Sequence, residues 1–461
     1  MSSIHSSNLN RSNQIDMLHG PLLKKILIFA LPLAASSLLQ QLFNTADQVI
    51  VGRFAGSVAL AAVGSNGQLI SLLINLFIGI SIGSNVVIAR LIGENRKEEI
   101  PAAVHTSMLL AVICGFILLA IGNLFAKPIL ILMGTPDNVM DLAIIYLRII
   151  CLGMPFFMVY NFGAAILRSI GDTKRPLYCL LVSGIINVGL NILFVIPMHM
   201  SVAGVALATT ISSGISTAMV LWFLMHEESE VRFDPRQMKI HPVFLKPILY
   251  IGIPASLQGL VFSISNVVIQ SAINSLGSAA MAGFAAALNF DYFSYFIINA
   301  FSQAAVTFTS QNLGARKIDR CKKVFRISLW MGILGSAILV GIIILFREFF
   351  VGLYSAEELV ISYALFRTMR VFALHYLCNT FEVTGSTLRG MGFSVLPTVI
   401  TVLGSCVFRL LWVFTIFRTH HTFASLVYVY PISWVLCGAA MLIAYFILRR
   451  RVFARIIAET I

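Results

Sequence analysis

Apolar residues in this chain fall into long unbroken runs separated by short polar stretches. They show neither the alternation of a half-buried strand nor the narrow stripe of a soluble amphipathic helix. Twelve runs stand out: 26–51, 58–89, 102–125, 141–167, 177–196 and 203–225, then 247–273, 279–309, 324–346, 360–388, 395–417 and 424–448. Each can supply the roughly 20 apolar residues that cross a bilayer. In lipid every run must close its own backbone hydrogen bonds, and the alternating polar positions of a barrel strand are missing, so each is expected to be a helix. The expected fold class is an all-α polytopic membrane protein of about twelve transmembrane helices.

Composition agrees: hydrophobic residues make up 58% of the chain and charged residues 11%, with a mean hydropathy of +0.91. A soluble domain carries roughly a quarter charged residues. The net charge of +13 would suggest nucleic acid in a soluble protein, but here the basic residues collect in alternate loops. The N-terminus, the even-numbered loops and the C-terminal tail hold 24 Lys and Arg; the odd-numbered loops hold only Arg53, Lys127, Arg347 and Arg418. This asymmetry predicts a multi-pass protein of the cytoplasmic (plasma) membrane with both termini in the cytoplasm and no nucleic-acid partner. Arg148, Arg367, Arg370 and Arg409 fall inside predicted spans and need a partner, a wet cavity or a snorkelling route. Seven cysteines, six in apolar runs and Cys321 in a basic loop, give no paired spacing for a disulfide framework or a metal cage. The first 20 residues are polar, with nothing resembling a cleaved signal peptide.

The chain also repeats itself. Ala30-Leu31-Pro32 recurs as Gly252-Ile253-Pro254, and Ala55-Gly56-Ser57 recurs as Leu276-Gly277-Ser278. Arg90-Leu91-Ile92-Gly93 matches Gln311-Asn312-Leu313-Gly314, and Leu167-Arg168-Ser169-Ile170-Gly171 with Pro176 matches Leu388-Arg389-Gly390-Met391-Gly392 with Pro397. The offset stays at 221 or 222. An even number of spans per copy keeps both copies in one orientation, which predicts two six-helix lobes related by a pseudo-twofold axis along the membrane normal, with a cleft between them. The expected domains are a polar N-terminal tail (1–20), a first lobe (21–226), a cytoplasmic linker (227–246), a second lobe (247–448) and a basic tail (449–461). Gly171 and Gly392 are expected as helix C-caps, and Arg168 and Arg389 as anchors at the cytoplasmic interface.

Gln40-Gln41-Leu42-Phe43-Asn44-Thr45-Ala46-Asp47 leading to Val51-Gly52-Arg53, the Leu-Arg-x-x-Gly signals ending spans four and ten, and the duplicated layout resemble the multidrug and toxic compound extrusion family over residues 20–450. The resemblance implies a two-lobe secondary antiporter. It would export cationic or amphipathic organic compounds in exchange for Na+ or H+ by alternating access, as a monomer and without a cofactor.

The residues suggest an ion site on their own account. Gln40, Asn44 and Asp47 are spaced i, i+4, i+7 and share a helix face that should turn towards protein rather than lipid. An Asp at bilayer depth costs about 2.5–3.5 kcal/mol on insertion scales and is a functional candidate by default; the alternative is solvation at the span's end or pairing with Arg53. Asn187 and Asn191 are again i, i+4, and Thr209 sits in a run of small residues suited to close helix packing. They either complete a cation site with Asp47 or serve as interhelical glue. These positions match the family's first-lobe cation site, a Na+ ligand set of Asp47, Asn187, Asn191 and Thr209. Where some members carry a second acid, Asn191 is neutral. The coupling Glu that one branch carries in span seven is missing too. In the second half, Gln270 of the row Asn266, Gln270, Asn274, together with Asp291 and Glu382, are candidates for contacting a cationic substrate in the cleft, as is Gln40 in the first. Either acid could instead be balanced by Arg367, Arg370 or Arg409.

Enzyme readings find no support. No Gly-x-x-x-x-Gly-Lys-Ser/Thr loop occurs, and His226-Glu227-Glu228-Ser229-Glu230 lacks the second His of a zinc-protease helix. The serious alternative is a flippase for a lipid-linked glycan or lipid precursor, whose pyrophosphate the four intramembrane arginines would meet.

Overall fold

A computed structural model describes residues 14–354 and 357–458. The first thirteen residues of the expected N-terminal tail and the last three of the basic tail lie outside them. Among the described residues all regular structure is helical. The first half runs through α1 (Leu22–Ile50), α2 (Ser57–Gly93), α3 (Ile100–Leu124), the short α4 (Ala126–Leu132), α5 (Asp137–Leu152), α6 (Met154–Ser169), α7 (Lys174–Val195) and α8 (Ser201–Met225). The second half has α9 (Pro242–Asn274), α10 (Ser278–Gly314), α11 (Ile318–Leu345), the short α12 (Arg347–Gly352), α13 (Glu358–Arg370), α14 (Cys378–Gly390), α15 (Val395–Thr401), α16 (Phe408–Trp412), α17 (Phe423–Val427) and α18 (Val429–Ala458).

Among the described residues ten helical stretches are long and apolar enough to cross a membrane, and α5 with α6, bent by 44° at their junction, makes an eleventh when the pair is counted as one broken span. The bend has a local cause in Gly153 and Pro155, since proline lacks the donor that would continue the ladder. The tenth expected span, 360–388, is not one apolar helix. It is α13 and α14 joined by a 3-10 turn, Phe372–Leu377.

The repeat read from the sequence is carried into the backbone. Residues 57–93 and 278–314 are both single 37-residue helices at an offset of 221. The same offset relates the left-handed residues: Gly56 (φ 89°) with Gly277 (φ 97°), Asn95 with Arg316 (both φ 56°), and Gly171 (φ 88°) with Gly392 (φ 94°). The last pair forms the expected C-caps. Gly171 and Asp172 donate to the carbonyls of Arg168 and Leu167, and Gly392 and Phe393 to those of Arg389 and Leu388. Asp172 then caps α7 by accepting from the backbone N–H groups of Lys174 and Arg175 at 3.0 Å each.

The described residues fall into two compact units, one of 14–16 and 31–256, the other of 17–30 and the described part of 257–458. The changeovers in α1 and α9 fall beside Pro32 and Pro254, the prolines that the repeat superposes. In the first unit the polar stretch after α8 is fastened down. Glu227 is buried and paired with Arg175 at 2.6 Å, and it accepts from Gln14 at 3.0 Å. Arg175 also pairs with Asp172. Lys97 meets Glu230 at 2.9 Å and holds that carboxyl below the usual carboxylate range. Further on, the Asp234 N–H donates to His105 Nε2 at 3.1 Å, and the His241 N–H to Thr106 Oγ1 at 3.0 Å.

Two expectations are corrected here. Cys321 is not in a loop but fully buried on α11, one of seven buried free cysteines. Arg389 is no interface anchor: it is buried, and donates to Gln258 Oε1 at 2.5 Å.

Candidate functional site

The first unit gathers polar groups from α1, α7 and α8 around one carboxylate. Asn191 on α7 is fully buried and donates through Nδ2 to Asp47 Oδ1 at 2.5 Å and to Asn187 Oδ1 at 3.2 Å. Asn187, one turn earlier, donates to Thr209 Oγ1 on α8 at 3.4 Å. The Thr209 hydroxyl donates to the Val205 carbonyl at 2.9 Å and is a near neighbour of Asp47. With both donor bonds on Nδ2, the Asn191 Oδ1 is a buried acceptor without a partner. A buried unpaired acceptor costs about 1–3 kcal/mol, so a fixed orphan oxygen beside a carboxylate calls for a cation or a proton donor.

Close helix approach makes these bonds possible. A Cβ added to Gly184 would lie 1.8 Å from Phe43 Cε2, so the bare backbone of α7 admits an aromatic ring of α1 one turn before Asp47 meets Asn191. Gly204 does the same between α8 and α7, where a Cβ would meet Phe194 Cβ at 2.9 Å. After Ile50 the α1 backbone widens into a π-helical turn, Val51–Ala55, of the kind frequent beside functional sites. Tyr146 on α5 is buried near enough for its phenol to feel the Asp47 charge, a neighbour the sequence did not single out. An aromatic residue inside an apolar run carries no spacing signal.

The donor set consists of a carboxylate, two amide oxygens and a hydroxyl, all hard oxygens of the kind that suit Na+, while the carboxylate alone suffices for H+. Among the described residues no cluster of three His, Cys, Asp or Glu side chains exists to hold a transition metal. Asn44 and Gln40, which share the Asp47 helix face in the sequence, are exposed and do not join the cluster.

The second unit is built differently. Asp291 on α10 is held by Arg367 on α13 in a two-pronged pair, Oδ2 to Nη2 at 2.6 Å and Oδ1 to Nη1 at 3.3 Å. The Arg367 guanidinium also lies over the Phe284 ring, 4.5 Å from its centre. Arg409 is buried, donates to Ser433 Oγ at 3.0 Å, and faces the Tyr430 ring at 4.6 Å. Glu382 on α14 is half-buried, with Arg389 and Tyr295 as its electrostatic neighbours. Gln270 is exposed and donates to Asn274 at 2.9 Å. Arg148 and Arg370 are exposed on their helices, which leaves them the snorkelling route.

A duplicated bundle of membrane-spanning helices, with a half-buried carboxylate among neutral oxygen groups in its first copy, has the architecture of a membrane transporter built from repeats. The MatE family model matches twice, over residues 32–193 and 254–415, at the offset of the internal repeat. The chain is 30% identical over 382 residues to the probable multidrug resistance protein YoeA of Bacillus subtilis, covering 81% of this chain and 82% of that one. It is 25% identical to the probable multidrug resistance protein NorM of Thermotoga maritima, covering 84% of each. A solved structure described as MATE in the bent conformation shares the two-lobe fold, with a TM-score of 0.86 at 22% identity over 96% of this chain and 98% of that one. The chain therefore belongs to the MatE family, the multidrug and toxic compound extrusion transporters that its motifs resemble.

Proposed function

We propose that this protein is a secondary antiporter that exports cationic or amphipathic organic compounds in exchange for Na+ or H+, with Asp47 as the residue that binds the coupling ion. The observation that carries this reading is the arrangement of half-buried Asp47 and Thr209 around buried Asn187 and Asn191, with its orphan Asn191 oxygen. Entry of one ion offsets the cost of the partly desolvated charge, and its departure restores that cost, so the site has two states of different free energy for a carrier to alternate between. The kinship with multidrug resistance proteins supports the substrate class. The expected location is the cytoplasmic membrane with both termini inside, and the expected working unit is a monomer.

A lipid-precursor flippase would need a cluster of free cations. Of the four intramembrane arginines, Arg367 is already neutralised by Asp291 and is no free cation for a pyrophosphate. The deciding experiment is uptake of a fluorescent organic cation into inside-out vesicles with an imposed Na+ or pH gradient. Accumulation driven by one gradient and lost in Asp47→Asn supports the reading; accumulation that ignores both gradients overturns it.

A further inference from the structure

In the second unit α11 presents one face to its own helices and another outward. Cys321, Val324, Phe325 and Ser328 are buried on the inner face. Lys323, Arg326, Ile327, Trp330 and Met331 follow the i, i+3, i+4, i+7, i+8 spacing of a single helical stripe on the other side. Together with Leu23 at the start of α1 they line a shallow groove of about 440 Å³. Chemistry is graded along it: two cations at the helix start, then Trp330, 66% exposed, over an apolar floor.

Neither cation has an ion-pair partner among the described residues: the nearby carboxylate, Asp319, is paired with Lys322 at 3.0 Å and has Lys323 only as a weaker electrostatic neighbour. At 28 residues α11 is about 42 Å long at 1.5 Å per residue, longer than a hydrocarbon core of about 30 Å. Its first turns therefore reach headgroup level, and Trp330, four residues beyond Arg326, lies about 6 Å deeper along the helix. A phosphate fits the Lys323 and Arg326 end, and an acyl chain fits along Leu23, Ile327 and Met331.

We propose that this groove is a binding site for a phospholipid with a net negative headgroup, selected over zwitterionic lipid by Lys323 and Arg326. The choice of anionic lipid rests on charge complementarity: each cation near an anionic headgroup is worth about a fivefold preference. A zwitterionic headgroup would fill the apolar floor equally well without that gain.

Trp330 is a built-in reporter. The full-length protein is reconstituted in vesicles that mix ordinary phosphatidylcholine with either brominated phosphatidylglycerol or brominated phosphatidylcholine. Bromine quenching of the Trp330 signal, defined by difference from Trp330→Phe, gives the relative association constant of each lipid. Phosphatidylglycerol should be preferred about tenfold or more. The preference should fall to near unity in the Lys323→Gln, Arg326→Gln double variant, shrink in high salt, and survive in Lys323→Arg. Equal quenching by both lipids in the unaltered protein, or a preference that neither salt nor the double variant lowers, overturns the site. The measurement needs no transport, so its failure is separate from failure of the antiport reading. Should the double variant not fold, the lipid ratio of the unaltered protein and its salt dependence still decide.

Discussion

Asp47 and Asn191 carry the sharpest prediction at the scale of single residues. Asp47→Asn keeps the shape and a hydrogen-bonding partner for Asn191 but removes the charge, so gradient-driven export should be lost while membrane insertion and the melting temperature hold. Asn191→Ala leaves the carboxylate in place and removes one bond to a charged group, worth about 1.5–3 kcal/mol, so export should weaken by roughly ten- to a hundredfold without vanishing. Concentrative uptake by purified variants in liposomes separates the two; undiminished uptake by Asp47→Asn would pass the role to Glu382. Asp291 is the poorer substitute because Arg367 already neutralises it. Arg367→Met strands that buried acid and should destabilise the protein by about 3–5 kcal/mol, whereas Asp291→Asn with Arg367→Met should recover much of the loss, as read by thermal melting in detergent. Of these groups, Asp47 stood out in the sequence as an acid at membrane depth, Asn187 and Asn191 by their i, i+4 spacing and Thr209 by its run of small residues, signals that interhelical glue would leave equally; the structure brings the four together. Asn44 and Gln40 share that spacing yet are exposed, since periodicity places a residue on a face without telling how far the neighbouring helix reaches along it. The partner of Asp291 was not legible: it lies 76 residues away on another helix, and three arginines were equally eligible from the sequence.

Between helices, the site depends on how closely α1 and α7 approach, and Gly184 sets that distance. Any side chain there must displace the Phe43 ring, which holds α1 one turn from the Asp47–Asn191 bond. Gly184→Val should therefore impair transport about as severely as loss of a ligand, although position 184 touches no ion. Phe43→Ala combined with Gly184→Ala should restore activity relative to Gly184→Ala alone, the non-additivity expected of residues in contact. Equal activity of the single and double variants in the vesicle assay would remove Gly184 from the argument. Helix breaks show the limit of sequence reading at this scale. The bend between α5 and α6 has visible causes in Gly153 and Pro155. The corresponding break between α13 and α14 lies in Val371-Phe372-Ala373-Leu374-His375-Tyr376-Leu377, which holds neither glycine nor proline. There tertiary contacts override local preference: buried His375 bonds Ser294 at 2.9 Å and stands edge-on to Trp434.

At the scale of the molecule, the duplication was legible because each copy needs the same few backbone devices at the same places, and glycines in the left-handed region are among the residues least free to drift. How the polar stretch 227–241 would behave was not, because its hold on the first unit runs through His105, Thr106 and Arg175, far away in the chain. Orientation rests on the basic residues alone, and predicts that a cysteine placed at position 235 is labelled by a membrane-impermeant maleimide only when the cytoplasmic face is opened; labelling in intact cells would invert the map. A single coupling carboxylate, as proposed for Asp47, would constrain the energetics of the whole cycle. If Asp47 admits one monovalent ion per turnover, exchange for a monovalent organic cation moves no net charge, and export should follow the chemical gradient of the ion while ignoring a potential clamped with valinomycin and K+. Exchange for a neutral amphipath moves one charge per cycle and should gain about 2.3 kcal/mol per 100 mV, roughly a fiftyfold change in the attainable concentration ratio. Measuring accumulation ratios of a cationic and a neutral substrate at 0 and 100 mV therefore reads the number of ions at the site. A potential dependence for the monovalent cation as steep as that expected for the neutral compound would require a second ion per cycle, and with it a second acid beside Asp47, which Asn191 does not provide.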